Sequence, residues 1–235
     1  MTARAPAAQA REVRPPGSRR PLAVQRAGLV PYAEGLALQQ DLVARRRAGS
    51  VPDTLVVLEH PHVITLGSSS DRADVLAGEE ERKRLGIELF EAGRGGGVTY
   101  HGPGQLVVYP VLDLKPDRKD LHAYLRDLER VLIEVAAAFG VTAGRREGLT
   151  GVWTERGKLA AIGVRVSSQW IASHGVALNV EPDLAYFDSI VPCGLAGEAV
   201  TSLARELGRC PDPEAVVATF VERFSAVFEC EILVA

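Results

Sequence analysis

The stretch Gly93–Gln105, GRGGGVTYHGPGQ, constrains this chain more than any other, because six of its thirteen residues are glycine. Glycine loses more conformational freedom on folding than any other residue, so such density is tolerated where backbone adopts positive φ or approaches a ligand closely. Arg94 adds a fixed positive charge, and His101 adds a side chain that titrates near neutral pH. The pattern favours a binding loop. A long hairpin turn is the structural alternative. A phosphate-binding loop is a further alternative, but the G-K-[ST] ending of the P-loop motif is absent from this segment.

The composition is that of an ordinary globular protein. The 235 residues include 27 Lys+Arg and 30 Asp+Glu, for a net charge of -3, and 46% are hydrophobic. Nucleic-acid binding is not expected without a basic excess, and no apolar run approaches the roughly 20 residues that cross a bilayer. The three cysteines are far apart, and no apolar signal-peptide core is present. We therefore expect a cytoplasmic protein without disulfides.

The first 21 residues differ from the rest of the chain. Residues 1–21 are rich in Arg and Pro and nearly lack bulky apolar side chains, so we expect a disordered tail. The globular pattern begins at Leu22, and the length suits a single domain over 22–235.

Hydrophobic periodicity predicts the main elements. Helices are expected over 32–47 and 119–139, near 202–208, and from Pro213 onward. Strands are expected at 54–59, 63–66, 105–114, 151–155, 159–166, 170–180 and 229–234. Pro110 predicts an edge position or a bulge for the strand 105–114. Because the strands cluster and do not alternate with helices, the expected fold class is α+β, with a mixed, largely antiparallel sheet packed with helices.

Two residues, Cys193 and Lys158, combine into a possible nucleophilic pair. Cys193 lies between Pro192 and Gly194, which predicts an exposed turn, and the amides of the helix that follows would favour a thiolate. Lys158 is one of only four lysines and leads an apolar strand. A lysine beside a thiol lowers the thiol pKa and can exchange protons with it. The structural alternatives are a buried, inert cysteine and a solvated turn lysine.

The histidines allow two readings each. His174 is either a base or a histidine bonded to backbone at a strand bend, and both remain open. His60 and His62 flank Pro61, but no further ligand is suitably spaced, so we expect no metal.

Five segments together resemble a known enzyme family: EHPHVITLG (59–67), RGGGVTYHGPGQ (94–105), GKLAAIGVR (157–165), HGVALNV (174–180) and IVPCGL (190–195). In order and spacing they resemble the lipoyl(octanoyl) transferases, the octanoyl-acyl carrier protein:protein octanoyltransferases. The resemblance implies a fold similar to the biotin and lipoate protein ligases, with 22–235 as one catalytic acyltransferase domain. His62 stands where proline is more usual, and Gly97 where a larger residue is common.

The resemblance also implies a reaction. An octanoyl group would pass from octanoyl-acyl carrier protein, through a thioester on Cys193 activated by Lys158, to the lysine of lipoyl domains. The acceptors implied are the E2 subunits of 2-oxoacid dehydrogenases and the glycine cleavage H protein, and no cofactor is implied. The substrate-binding residues implied are Arg94, Gly95, Gly96, Gly97, Val98, Thr99, Tyr100, His101, Ala161, Ile162, Gly163, Gly175, Val176 and Ala177.

Three other functions stay open at this point. The nearest is an ATP-dependent lipoate or biotin protein ligase on the same fold, followed by a non-catalytic acyl-binding module and a cysteine hydrolase. Because acyl carrier proteins and lipoyl domains are generally acidic, four arginines are hypothetical docking charges: Arg94, Arg145, Arg146 and Arg165.

Overall fold

The computed structural model describes residues 19–115, 117–191 and 198–233. Cys193 and residues 1–18 lie outside these ranges. The strands are β1 (Arg20–Leu29), β2 (Asp53–Glu59), β3 (Val63–Leu66), β4 (Glu88–Glu91), β5 (Val98–His101), β6 (Gln105–Val111), β7 (Gly144–Arg146), β8 (Leu149–Thr154), β9 (Gly157–Val166), β10 (Ala172–Asn179) and β11 (Cys230–Ile232). The helices are α1 (Tyr32–Arg47), α2 (Glu79–Leu85), α3 (Leu121–Ala138), α4 (Leu203–Leu207) and α5 (Pro213–Phe228), with 3₁₀ turns at Arg72–Asp74 and Leu184–Ser189.

The strands form a large and a small sheet. The large sheet has the order β11-β1-β2-β6-β10-β9-β8-β7, and the small one has the order β4-β3-β5. Strands β11, β1 and β2 run parallel to one another, whereas every pairing from β2 through β6, β10, β9 and β8 to β7 is antiparallel. The α+β class and the mixed, largely antiparallel sheet are therefore confirmed.

Helices cover both faces of the large sheet. Helices α3 and α5 pack on one face, where Leu128, Leu132 and Val135 of α3 are fully buried. Helix α1 packs on the other face, against β2, β6 and β10. Both long helices on the first face begin at side-chain caps, because Asp120 and Asp212 accept hydrogen bonds from backbone N–H groups of their first turns. No described helix combines the length and apolar character needed to cross a bilayer.

The amino-terminal edge of the fold extends slightly beyond the expected boundary at Leu22. Strand β1 begins at Arg20 and pairs with both β11 and β2. The Arg20 guanidinium also lies 2.5 Å from a carboxylate oxygen of the buried Asp53 on β2. This ion pair and the strand pairing explain why the two preceding residues belong to the sheet.

Pro110 was predicted to mark an edge position or a bulge, and both alternatives are wrong, because β6 is central and neither of its ladders shifts register. Strand β6 lies centrally, between β2 and β10. Its ladder with β10 covers Gln105–Val108 and stops before Pro110, while β2 pairs along the other side. On β10, His174 has φ +54° and donates its backbone N–H to the Gln39 side chain at 2.6 Å instead of to β6. The proline, which cannot donate, therefore faces a gap in the ladder.

Candidate active site

A cavity lies above small residues on β9 and β10. In the antiparallel register Ala161 is opposite Ala177, and Gly163 is opposite Gly175. Alternate residues of a strand share a face, so these four form one floor. The space above it, including its open mouth, is about 470 Å³. It lies on the side of the sheet that α1 covers, and Tyr32 of α1 lines it.

The glycine-rich segment forms one wall of this cavity. The Gly95 N–H donates to the Val164 carbonyl of β9 at 2.9 Å. A Cβ on Gly67 would lie 2.1 Å from the Gly96 carbonyl oxygen, and one on Gly163 would lie 2.8 Å from Cδ of Arg94. The sequence predicted that backbone here approaches a ligand closely. In the structure the close approaches are of Gly67 to the Gly96 backbone and of Gly163 to the Arg94 stem.

Arg94 is buried beneath this loop, with 7% of its surface exposed. Its guanidinium donates to the Thr65 carbonyl and hydroxyl at 3.0 and 2.8 Å and to the Gly97 carbonyl at 3.1 Å. The hypothesis of a docking charge was therefore wrong for Arg94. Of the other three arginines proposed for docking, Arg145 binds the buried Glu129, Arg146 binds Glu198, and Arg165 is exposed.

Lys158 lies at one end of the floor, at the start of β9, and lines the cavity. It is 7% exposed, which excludes the solvated turn lysine. Its stem packs on Gly151, where a Cβ would lie 2.9 Å from Cε, and its Nζ is 5.2 Å from the centre of the Trp153 ring. Its backbone pairs with residues 199–201, the chain that follows the segment containing Cys193.

Two histidines line the cavity and are held neutral. Burial, with smaller contributions from His60 and Arg94, lowers the pKa of His101 to about 3. Burial, followed by Arg94 and Arg165, lowers the pKa of His174 to about 4. Both imidazoles are therefore uncharged near neutral pH. His174 lines the cavity, and its backbone has a φ of +54°. Among the described residues no hydrogen bond joins its ring to the backbone, and a role as a base stays a prediction.

A third histidine lies behind the cavity and orients a tyrosine. The Nδ1 atom of His60 is 2.6 Å from the Val30 carbonyl oxygen, so it must donate. The Nε2 atom, 2.6 Å from the Tyr109 hydroxyl oxygen, then accepts from that hydroxyl. Tyr109 lines the cavity together with Tyr32. Sequence reasoning missed both tyrosines, although Tyr109 is the only side chain with a hydroxyl in the run QLVVYPVLDL.

The family profile described as the lipoyl protein ligase A/B catalytic domain matches residues 31–225. The chain belongs to this family. Among curated relatives, the octanoyltransferase of Rubrobacter xylanophilus is 54% identical over 183 residues, 77% of this chain and 82% of the relative. The octanoyltransferase of Solibacter usitatus is 48% identical over 206 residues, covering 88% and 92%. The resemblance found in the sequence motifs is thereby confirmed.

Solved structures of lipoate protein ligases share the fold. A lipoate-protein ligase A bound with ATP superposes with a TM-score of 0.73 at 16% identity, covering 92% of this chain and 90% of that one. A lipoate protein ligase from Thermoplasma acidophilum, described with its E2 lipoyl domain, gives 0.71 at 18% identity, covering 92% and 86%. The expected ligase-like architecture is confirmed.

In this member of the lipoyl protein ligase A/B family, most of the implied substrate-binding residues meet at one cavity. Those lining it are Arg94, Gly96, Gly97, Thr99, His101, Ala161, Ile162, Gly163, Gly175, Val176 and Ala177. Val98 and Tyr100 differ: strand alternation turns them into the core of the small sheet, where they are at most 1% exposed. Gly95 acts through its backbone bond to β9. Among the described residues no group of three His, Cys, Asp or Glu is arranged to hold a metal.

Proposed function

We propose that this protein transfers an octanoyl group from octanoyl-acyl carrier protein to the lysine of lipoyl domains, through a thioester on Cys193. The observation that carries the proposal is a buried lysine, Lys158, at the end of a cavity floored by alanine and glycine. The relatives named octanoyltransferase support the group transferred. The acceptors proposed are the E2 subunits of 2-oxoacid dehydrogenases and the glycine cleavage H protein, in the cytoplasm.

The first half-reaction exchanges one thioester for another. The Cys193 sulfur attacks the octanoyl carbonyl, the bond from that carbon to the carrier sulfur breaks, and the carrier thiol leaves. Lys158 takes the proton of the Cys193 thiol and returns it to the leaving carrier thiolate. Because one thioester replaces another, the step is close to balanced in free energy, and the donor needs no ATP.

The second half-reaction forms an amide. The acceptor lysine attacks the Cys193 thioester, the bond from the acyl carbon to the sulfur breaks, and Cys193 leaves as thiolate. Lys158 accepts the proton lost by the amine and passes it to that sulfur. An amide is much more stable than a thioester, so this step drives the transfer forward.

The floor suits an alkyl chain. Ala161 and Ala177 present only methyl groups, and the Arg94 stem lies over Gly163, so an extended chain can lie over the two alanines beside that stem. Each methylene buried there contributes about 0.8 kcal/mol. The carboxyl end of such a chain would lie toward Lys158, which places the reacting carbon at the end of the floor where the chain following Cys193 returns.

Intact mass spectrometry tests the proposal. The protein incubated with octanoyl carrier protein alone is expected to gain one octanoyl mass on Cys193, which hydroxylamine removes. Lys158→Met is expected to lose this labelling. Lys119→Met is the matched control, because Lys119 also lies over a tryptophan ring, at 5.5 Å from the centre of Trp170, but on the surface. Labelling of Cys210 or Cys230 would contradict the assignment.

The same assay decides between transferase and ligase. An ATP-dependent ligase would acylate a lipoyl domain from free octanoate and ATP and would retain activity in Cys193→Ser. We expect no product from octanoate and ATP, and a full yield from the carrier thioester without nucleotide. The reverse pattern would replace the proposed function with that of the ligases whose fold the chain shares.

A further inference from the structure

Two buried side-chain amides, of Gln105 and Asn179, connect His101 through hydrogen bonds with the backbone beside Lys158. Asn179, 4% exposed, donates through Nδ2 to the Thr201 carbonyl at 2.9 Å. Its Oδ1 accepts from Nε2 of Gln105, 2% exposed, at 3.0 Å. The Gln105 Oε1 atom lies 3.1 Å from Nδ1 of His101. The transfer chemistry proposed above uses neither amide.

Two backbone carbonyls fix the direction of every hydrogen bond in this series. A carbonyl oxygen only accepts, so the Asn179 atom facing Thr201 must be the nitrogen. The Gln105 nitrogen faces both Oδ1 of Asn179 and the Tyr100 carbonyl, at 3.2 Å, so it too must donate. The Gln105 oxygen is thereby left facing His101 as an acceptor.

The tautomer of His101 follows from this direction. An amide oxygen cannot donate, so Nδ1 of His101 carries the proton. A neutral imidazole has one N–H, and its other nitrogen, Nε2, therefore carries a lone pair. His101 lines the cavity, and with Nδ1 held by Gln105, Nε2 is the nitrogen available to a group bound there.

His60 provides the contrast. It also carries its proton on Nδ1, facing the Val30 carbonyl, but its Nε2 accepts from Tyr109 and is occupied. Among the described residues, no hydrogen bond is found at Nε2 of His101. The two rings, 6.0 Å apart, thus share a tautomer, but only the Nε2 atom of His101 remains able to accept a hydrogen bond from a group in the cavity.

We propose that Gln105 and Asn179 are positioning residues that hold His101 in the Nδ1–H tautomer, so that its Nε2 accepts a hydrogen bond from an N–H or S–H group of the reacting substrates. The identity of that donor rests on the proposed function, whereas the tautomer does not. The same series of hydrogen bonds ends on Thr201, whose N–H donates to the Lys158 carbonyl at 3.0 Å. One buried network therefore fixes the acceptor histidine and the strand that carries the lysine.

Nitrogen NMR of the intact protein tests the tautomer directly. In ¹⁵N-histidine-labelled protein we expect His101 to show a protonated Nδ1 and an unprotonated Nε2 at neutral pH, with His101→Gln identifying its signals. The wild-type spectrum needs no variant. A protonated Nε2 on His101 in that spectrum would overturn the proposal.

A matched pair of substitutions tests the role of Gln105. In Gln105→Met we expect His101 to change to the Nε2–H form, because its acceptor at Nδ1 is gone. Gln39→Met is the control: Gln39 is also 2% exposed, but its oxygen accepts the His174 backbone N–H. There the His101 tautomer should persist. In both variants the His60 signals should stay unchanged, which verifies the fold around the cavity.

The functional consequence is measured as octanoyl transfer. Loss of one accepted hydrogen bond should lower kcat/KM of Gln105→Met about tenfold. If Gln105→Met changes the His101 tautomer but transfers octanoyl groups at the wild-type rate, the proposed role of His101 Nε2 as a hydrogen-bond acceptor is wrong. If wild-type protein transfers no octanoyl group, the proposed function fails, while the tautomer assignment stands or falls on the NMR spectrum alone.

Discussion

Gly163 shows how much one absent side chain decides at the residue scale. The Arg94 stem crosses β9 where a Cβ on Gly163 would lie 2.8 Å from Cδ, and the Gly95 carbonyl oxygen would be 3.2 Å away. Arg94 in turn holds the glycine-rich wall through its bonds to Thr65 and Gly97. The glycine-rich wall of the cavity therefore depends on residue 163 having no side chain.

Gly163→Ala is expected to displace Arg94 and destabilise the protein by about 1–3 kcal/mol, the usual cost of overpacking. Octanoyl transfer should fall with it, because the wall that Arg94 holds moves. Gly144→Ala on β7 is the control, since a Cβ there meets nothing within 4 Å. Denaturant unfolding measures both. Equal stability of the two variants would show that the Arg94 stem adjusts freely.

The methyl groups of the floor predict the acyl-chain preference. Ala177→Val adds two methyl groups above the floor opposite Ala161 and suits a strand. We expect transfer of octanoyl groups to fall more than transfer of hexanoyl groups, because the shorter chain needs less of the cavity. Competition between the two carrier thioesters, read by mass spectrometry, gives the ratio. The same substitution at Ala33, exposed on α1, should leave it unchanged.

At the scale of elements, the helices were predictable from local sequence patterns, whereas the order of the strands, which depends on contacts between distant segments, was not. Helix α1 spans Tyr32–Arg47 and ends on a run of three arginines, and α3 lies within the predicted 119–139 with its apolar face on the core, because helix-end signals and hydrophobic periodicity are local properties. The central position of β6 was missed because Pro110 is accommodated by His174, far along the chain, whose φ is +54° and whose N–H is bonded to Gln39. No local signal in β6 reports that arrangement.

The candidate site divides in the same way. The glycine-rich segment and Lys158 stand out by composition, the family resemblance implies the alanines and glycines of the floor, and the structure brings all of them to one cavity. The bonds from His60 to Tyr109 and from Gln105 to Asn179 join residues whose pairing depends on the sheet order. Side-chain partners of that kind follow from topology, which the sequence pattern leaves open.

Helix α3 carries a prediction about its first turn. Asp120→Ala removes the acceptor for the Ala123 N–H, and we expect a loss of about 1 kcal/mol in the free energy of unfolding. Asp120→Asn is the matched variant, because asparagine caps about as well as aspartate, and it should keep most of the stability. Chemical denaturation compares them. Equal losses in both variants would indicate that charge, not capping, is what matters at this position.

For the whole molecule, the neutral histidines at the cavity predict a pH dependence of stability. The pKa of His101 is lowered to about 3 and that of His174 to about 4, from an unfolded value near 6.5, so the unfolded chain binds more protons between these limits. Their contribution is complete above pH 6.5 and is lost as the pH falls toward 4. Each group contributes about 1.4 kcal/mol per pH unit to that slope.

Denaturant unfolding between pH 7.5 and about pH 4.5 measures this slope against a variant that lacks one of the two titrating groups. His174→Gln is expected to flatten it by about the share of one histidine, because a glutamine in the cavity takes up no proton on unfolding. His122→Gln is the control, since His122 is exposed on α3 and should leave the slope unchanged. An identical slope in wild type and His174→Gln would mean that the imidazole is charged, or solvated, in the folded cavity. The assignment of His174 as a neutral side chain of the cavity would then be wrong.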